Sequence, residues 1–344
     1  ATHTWERNGP WEARVAEECA AVRDGCGILP ITGFSRIKVE GPGARAFVDG
    51  LTASRLPKQG RVGLAYFPDV RGRIVTECSV MVHGDDEVGL ITAAASQWHD
   101  GEHFSRQMPE GITVSDHTRE VECLLVTGPK ARDILGPLTD HDLSKPWLSV
   151  SFSGQVAGRE CALLRVSFAG ELGWEIHCAP DDAPAIWDAV TAAGATPFGM
   201  FALNCLRVEK GYRAWKGELS TDYTLLEGGL DRFIDWTKDF TGKPALEAEK
   251  QQGPSKRFVT LTIDGGSCDA PYMSTIWQGD TVVGEVTSAA WGYRVGAQVA
   301  LGMVRSDLAV QGTAVEVEIF GKRYPAAVQA EGSLYDPNNE RLRA

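Results

Sequence analysis

The sequence predicts a mixed α+β protein in which two related α+β halves follow one another and a small all-β barrel closes the chain. Three observations carry that expectation. Val39-Glu40-Gly41-Pro42-Gly43-Ala44-Arg45, running on to Leu51-Thr52, recurs as Val126-Thr127-Gly128-Pro129-Lys130-Ala131-Arg132, running on to Leu138-Thr139, at a constant offset of 87 residues. After each copy comes β-rich sequence with hairpin signals and then a helical run, at Ala95–Gln107 and again at Asp181–Ala192. The last ninety residues change character to Val/Thr/Ile alternation with frequent glycine (FVTLTI, TVVGEVTS, AVEVEIF) and no long helical pattern.

Within each repeat a β-type run (SRIKVE, CLLV) meets Gly-Pro. Proline suits the first turn of a helix, where its missing N–H would have had no partner, so each copy reads as strand, turn and helix. The polar stretch around Glu249–Arg257 reads as a linker, dividing residues 1–248 from a barrel at 258–344.

At 344 residues, 43% hydrophobic and 23% charged, the chain has an ordinary globular composition and length for more than one packed unit. A net charge of −12 opposes non-specific binding to nucleic acid or anionic lipid. No apolar run approaches the ~20 residues that span a bilayer, and ATHTWERNGPWEARVAEE lacks the basic start and apolar centre of a signal peptide. The expected address is the cytoplasm, or an organelle matrix after processing. Eight cysteines, at 19, 26, 78, 123, 161, 178, 205 and 268, form no CxxC pair and no Cys/His cluster at zinc spacing, so no metal site is expected and the thiols read as small buried hydrophobes.

Gly41-Pro42-Gly43 superficially matches a dinucleotide-binding turn. Its second copy lacks the later glycine, and the proline removes an N–H that a pyrophosphate would need, so it reads as a helix start. His99 and His103 stand four apart on a predicted helix without a third ligand and read as surface or packing residues. Four cations, Arg207, Lys210, Arg213 and Lys216, gather on the predicted helix Asn204–Lys216 of an acidic chain; they read either as a solvated face paired with Glu or as a carboxylate clamp. Ser167–His177 combines Phe168, a flexible turn, Trp174 and Glu175: an exposed hairpin, or, with Trp174 buried beside it, a carboxylate that accepts two N–H bonds from an aminopyrimidine edge. Glu77 interrupts an apolar strand; it either faces water or, buried near a cleft, moves a proton.

Taken in order, GRIVTE, SFAGELGWEIH, LNCLRVEKGYRAWKGELSTDYTLLEGGLDRFI, KDFTGKPAL and GEVTSAAWGYRVGAQVALGMVR resemble the folate-binding aminomethyltransferase (glycine-cleavage T-protein) family, from Trp11 to the C-terminal end. GFSR, GRVGLAYF and CDAPYMSTIW are most similar to the tetrahydrofolate-binding portion of dimethylglycine and sarcosine dehydrogenases. The resemblance implies a cloverleaf of three subdomains around a central folate channel. It implies that Glu175 holds the pterin ring, that Arg207 lies on a helix lining the folate site, that Phe168 packs near the cofactor, and that Glu77 is the acid acting on the one-carbon unit. Glu77 stands where the family more often has Asp, Asn204 where it usually has Asp, and Phe168 lacks the hydroxyl of the commoner Tyr.

The activity so implied is transfer of a methyl or methylene group from a small N- or S-methylated metabolite, such as dimethylglycine, to tetrahydrofolate, with Arg207 and Arg213 as cations for the folate tail. The related dehydrogenases make their iminium in a flavin-binding portion that these residues do not contain, so a flavin-dependent dehydrogenase is the expected partner or neighbour. A redox-neutral sulfonium or ether demethylase giving 5-methyl-tetrahydrofolate, and a non-catalytic folate-binding module, are the alternatives.

Overall fold

The computed structural model describes residues 9–332 and 334–344. Helix α1 (Pro10–Asp24) and strand β1 (Gly27–Pro30) lead into the first unit: β2 (Phe34–Glu40), α2 (Ala44–Leu51), β3 (Val62–Pro68), β4 (Ile74–Val82), β5 (Glu87–Ala93), α3 (Gln97–Ser105) and β6 (Thr113–Asp116). The second unit repeats the plan with β7 (Glu122–Thr127), α4 (Ala131–Leu135), β8 (Val150–Ser151), β9 (Gln155–Val156), β10 (Arg159–Leu164), β11 (Gly173–Cys178), α5 (Ala183–Ala192) and β12 (Thr196–Pro197). Helices α6 (Met200–Glu209) and α7 (Lys243–Gln252) bridge to the barrel strands β13 (Lys256–Ile263), β14 (Thr275–Gln278), β15 (Thr281–Gly292), β16 (Ala297–Arg305), β17 (Ala314–Ile319) and β18 (Lys322–Gln329), followed by α8 (Glu340–Arg343).

The expected two halves and barrel are present. The first sheet runs β3-β4-β5-β2-β6, the second β12-β1-β7-β11-β10-β8 with β9 hairpinned onto β10, and β13-β16-β15-β14-β17-β18 closes on itself. The sequence did not disclose one exchange. Strand β1, although it precedes the first unit, pairs antiparallel with β7 and so fills in the second sheet the place beside the repeat strand that β6 fills in the first.

Strand alternation gives each sheet two covered faces. Ile37, Val39, Phe67, Cys78, Val80 and Val82 point to a core closed by Val48 of α2 and Phe104 of α3. Leu124, Val126, Trp174 and Ile176 point to the matching core under α4 and α5. The opposite faces meet: Val62 and Ile91 of the first sheet share a cluster with Val150 and Leu164 of the second, with Phe34 and Met81 packed against it.

Three local expectations change. Pro42 and Pro129 lie before the helices, at the second position of turns closed by N–H donation from Ala44 to the Gly41 carbonyl and from Ala131 to the Gly128 carbonyl, both 3.0 Å. Proline's fixed φ suits that position as well as it suits a helix start. The helix expected over Asn204–Lys216 ends at Glu209, because Gly211 takes the left-handed conformation (φ +71°) that terminates helices. The expected linker is helical as far as Gln252 and already strand from Lys256.

Candidate functional site

Residues directly opposite in an antiparallel pair share a face, and this rule places the two candidate acids. Glu77 lies opposite Tyr66, and two residues along the same strand Ser79 lies opposite Ile91, which in turn lies opposite Arg36. Tyr66, Glu77, Ser79, Ile91 and Arg36 therefore share the inward face of the first sheet. On the second sheet Glu175 lies opposite both Leu164 and Leu125, and His177 opposite Cys123. Since Ile91 and Leu164 belong to one packed cluster, Glu77 and Glu175 occupy the two sheet surfaces that face one another.

Burial, and after it the carboxylate of Asp100 from across the sheet, raises the Glu77 carboxyl to about 7. Among the described residues nothing donates a hydrogen bond to it. A carboxyl poised near neutrality, with its lone pairs uncommitted, can take up and return a proton at physiological pH.

Glu175 is tethered on one side only. His177 Nε2 lies 3.1 Å from its Oε2 and 3.5 Å from the Cys123 Sγ. Burial lowers the His177 pKa, so the ring is neutral, and because a carboxylate can only accept, Nε2 carries the proton. Oε1 accepts nothing among the described residues, and the side chain retains 15% exposure. Donor atoms of Cys123, Glu175 and His177 all lie within 4.8 Å of one another, a cluster that could hold a cation and that spacing along the sequence did not reveal. The Cys123 thiol is pushed well up by burial and Glu175, and Arg36 faces the same group, which opposes a second positive charge there.

Phe168 stacks on Tyr212 (centroids 5.9 Å apart, planes at 20°), making a partly exposed aromatic pair at the edge of the core. Tyr212 was missed in the sequence because it lay in what read as a helix. Arg207 is buried. Its Nε and Nη2 donate to Asn204 Oδ1, Nη2 also to Ser288, and Nη1 to the Tyr212 carbonyl and Glu218. Its donors are taken, so Arg207 holds Tyr212 in place and offers no free fork. Arg213 lies off the helix, over the Phe258 ring at 3.9 Å, donating to Gly228, Gly229 and Glu331. Through Ser288, Phe258 and Glu331 the two cations tie α6 and the segment after it to the barrel and its trailing segment, which neither sequence reading of this segment anticipated.

Trp174 is not beside Glu175. Adjacent strand residues point to opposite faces, so Trp174 is 2% exposed in the core under α4, with the Arg132 and Arg165 guanidinium groups 5.6 and 5.8 Å from its ring. It supports the strand that carries Glu175 and contributes nothing to the inward face.

Comparison with known proteins agrees with this architecture. Residues 2–238 match the GCVT N-terminal domain and residues 256–336 the glycine cleavage T-protein C-terminal barrel domain. The chain is 33% identical to the mitochondrial dimethylglycine dehydrogenase of Rattus norvegicus over 98% of its own length, and spans 41% of that protein. It is 30% identical to an aminomethyltransferase of Thermosynechococcus vestitus, covering 93% of this chain and 89% of that one. The crystal structure of glycine cleavage system aminomethyltransferase T from Bartonella henselae superposes with a TM-score of 0.84 at 22% identity, covering 92% of this chain and 88% of that one. Two domain matches, a full-length relative and a shared fold together establish that this chain belongs to the glycine cleavage T-protein family of tetrahydrofolate-dependent aminomethyltransferases.

Proposed function

We propose that the chain transfers a one-carbon unit from a small N-methylated metabolite, of the kind represented by dimethylglycine, to tetrahydrofolate. The observation that carries this reading is the placement of Glu77 and Glu175 on facing sheet surfaces, one carboxyl poised near neutrality and the other with an uncommitted oxygen. The fit to a reduced pterin is chemical: Glu175 can accept from the 2-amino group and N3–H of the ring edge, and the stacked pair Phe168 and Tyr212 offers an aromatic surface nearby. Tetrahydrofolate, when bound, supplies the nucleophilic nitrogen that takes the carbon. Glu77 accepts the proton released from that nitrogen as the new C–N bond forms, and returns it to the departing amine. Holding nucleophile and donor between two packed sheets supplies much of the rate through positioning.

An amine donor is favoured over a sulfonium or ether by the likeness to dimethylglycine dehydrogenase across nearly the whole chain. Because the chain spans about two fifths of that relative, a flavin-dependent dehydrogenase portion or subunit is the proposed source of an oxidised donor. The test is to incubate the protein with tetrahydrofolate and a panel of methylated amines, sulfoniums and ethers and to weigh the folate product. A methylene product that requires an oxidised amine supports the proposal, and a methyl product from an unoxidised donor points to redox-neutral demethylation. Folate binding without turnover of any donor defeats the catalytic reading, and Glu175→Ala with unchanged affinity defeats the assigned grip.

A further inference from the structure

Arg36 is the buried charge that the site as described does not use. It is 7% exposed; among the described residues its Nε has no hydrogen-bond partner, its one side-chain hydrogen bond is a long 3.4 Å contact from Nη1 to its neighbour's carbonyl, that of Ser35, and the Phe34 ring lies 5.9 Å from its guanidinium carbon. Among the described residues it makes no ion pair. Its backbone is pinned, with N–H donating to Thr118 Oγ1 and the carbonyl accepting from His117, so the side chain is committed to the inward face. There it lies within electrostatic reach of Cys123, Glu175, Glu122 and His177 on the second sheet. An unpaired guanidinium held away from water carries a penalty of several kcal/mol, which folding alone gives no reason to bear. The repeat sharpens the point. Eighty-seven residues on, the equivalent position is Cys123, a small neutral side chain, so the fold does not demand a cation at this register.

We propose that Arg36 reads the 4-oxo group of the pterin. The inference rests on the folate reading above and adds to it a residue and a selectivity. Along one edge a pterin presents the 2-amino donor, the N3–H donor and the O4 acceptor in sequence. Glu175 matches the first two, and a guanidinium beyond ion-pair distance from that carboxylate matches the third, so that the ring fills the space between them. The atom next to O4 on the fused ring is N5, the nitrogen that must face the reacting carbon. Arg36 and Glu77 sit on one sheet face, two strands and two residues apart, which places their α-carbons ~12 Å from each other and leaves room for a ring edge between their side chains. Gripping O4 with Arg36 thus turns N5 toward Glu77.

The consequence is discrimination against 4-amino pterins, which lack the N3–H that Glu175 accepts and also place a donor where Arg36 donates. A site whose buried polar group is left unmatched rejects the analogue strongly, on the order of a hundredfold here. The experiment titrates the purified protein with tetrahydrofolate and with its 4-amino counterpart, tetrahydroaminopterin, following binding by calorimetry. The wild-type protein is expected to prefer the 4-oxo ligand by about a hundredfold. Arg36→Met should narrow that preference about tenfold, chiefly through loss of 4-oxo affinity, leaving the part that Glu175 sets through N3–H, and Arg36→Lys, which keeps the charge and a donor, should recover part of the loss. Thermal melting verifies that each variant is folded, and should Arg36→Met fail to fold, the wild-type and Arg36→Lys ratios decide. No wild-type preference, or equal weakening of both ligands by the variants, overturns the assignment of O4 while leaving folate binding intact. Binding of neither ligand by the wild-type protein overturns the folate reading itself and this inference with it.

Discussion

At the scale of single residues, Glu77 ties the proposed proton transfer to stability. Its folded carboxyl titrates about 7 against an ordinary 4.5, so between those values the folded protein holds a proton that the unfolded chain has released. Stability from this group is therefore complete below pH 4.5 and is lost as pH rises through 7. Glu77→Gln should lower turnover by about 10²–10³-fold, while stabilising the protein by ~1–3 kcal/mol above neutrality and flattening that pH slope. Urea melts at pH 5 and pH 8 compare the two proteins directly. In the wild type, kcat/KM should rise with pH around a midpoint near 7, and the step should vanish in the variant. Both acids were legible in the sequence, Glu77 as a charge breaking an apolar strand and Glu175 through its motif. Trp174 was misplaced because adjacency in sequence was taken for adjacency in space, which a strand forbids. His177 was legible from strand alternation, two residues along β11 from Glu175, but was passed over, whereas Arg36 carried no local signal because only sheet stacking brings it toward Glu175.

At the scale of elements, the repeated Gly-Pro turns show why a glycine opens each copy. Gly41 and Gly128 have φ of +123° and +135°, and a Cβ on them would lie 2.1 Å from the Gly111 carbonyl oxygen and 2.4 Å from that of Gly25. Backbone on both sides leaves no flexible group to yield. Gly128→Ala should cost about 2–4 kcal/mol, measured by denaturant unfolding, whereas alanine at Gly136, where a Cβ meets nothing, should change stability by less than about 0.5 kcal/mol. The repeat itself was legible from the 87-residue echo because strand, turn and helix start are local and reuse the same residue types. The end of α6 was not, since the cations that suggested a continuing helix are retained for long-range pairing after Gly211 breaks it.

At the scale of the molecule, buried ion pairs join the units. Arg294, on the connection between β15 and β16, donates from Nε to Glu209 at 2.5 Å at the end of α6 and from Nη1 to Glu171 at 3.2 Å in the loop before β11. Glu171 is completed by Arg341 and the Tyr335 hydroxyl, and Lys210 pairs with Asp336 at 3.2 Å. Arg294→Met leaves buried Glu209 with backbone donors alone and Glu171 with Arg341 and Tyr335 but without the cation the two carboxylates share. A loss of about 3–5 kcal/mol is expected, and calorimetry should show the barrel melting apart from the sheets. Among the described residues no helix is long and apolar enough to cross a membrane. The barrel was readable from its alternation, but its attachment was not, because Glu171, Glu209 and Arg294 are far apart in sequence and each looks like an ordinary surface charge.

Strand β1 sets an order of events during synthesis. Residues 34–116 can close their own sheet as soon as they leave the ribosome, yet β1 finds its partners only when β7 and then β12, at Thr196–Pro197, have emerged. Strand β1 must wait unpaired through about 100 further additions for β7 and about 170 for β12, a few tens of seconds or less at ordinary elongation rates. During that interval Ile28 and Leu29 are exposed to chaperones, and a stalled nascent chain should be cut by protease ahead of β2 while the first sheet already resists.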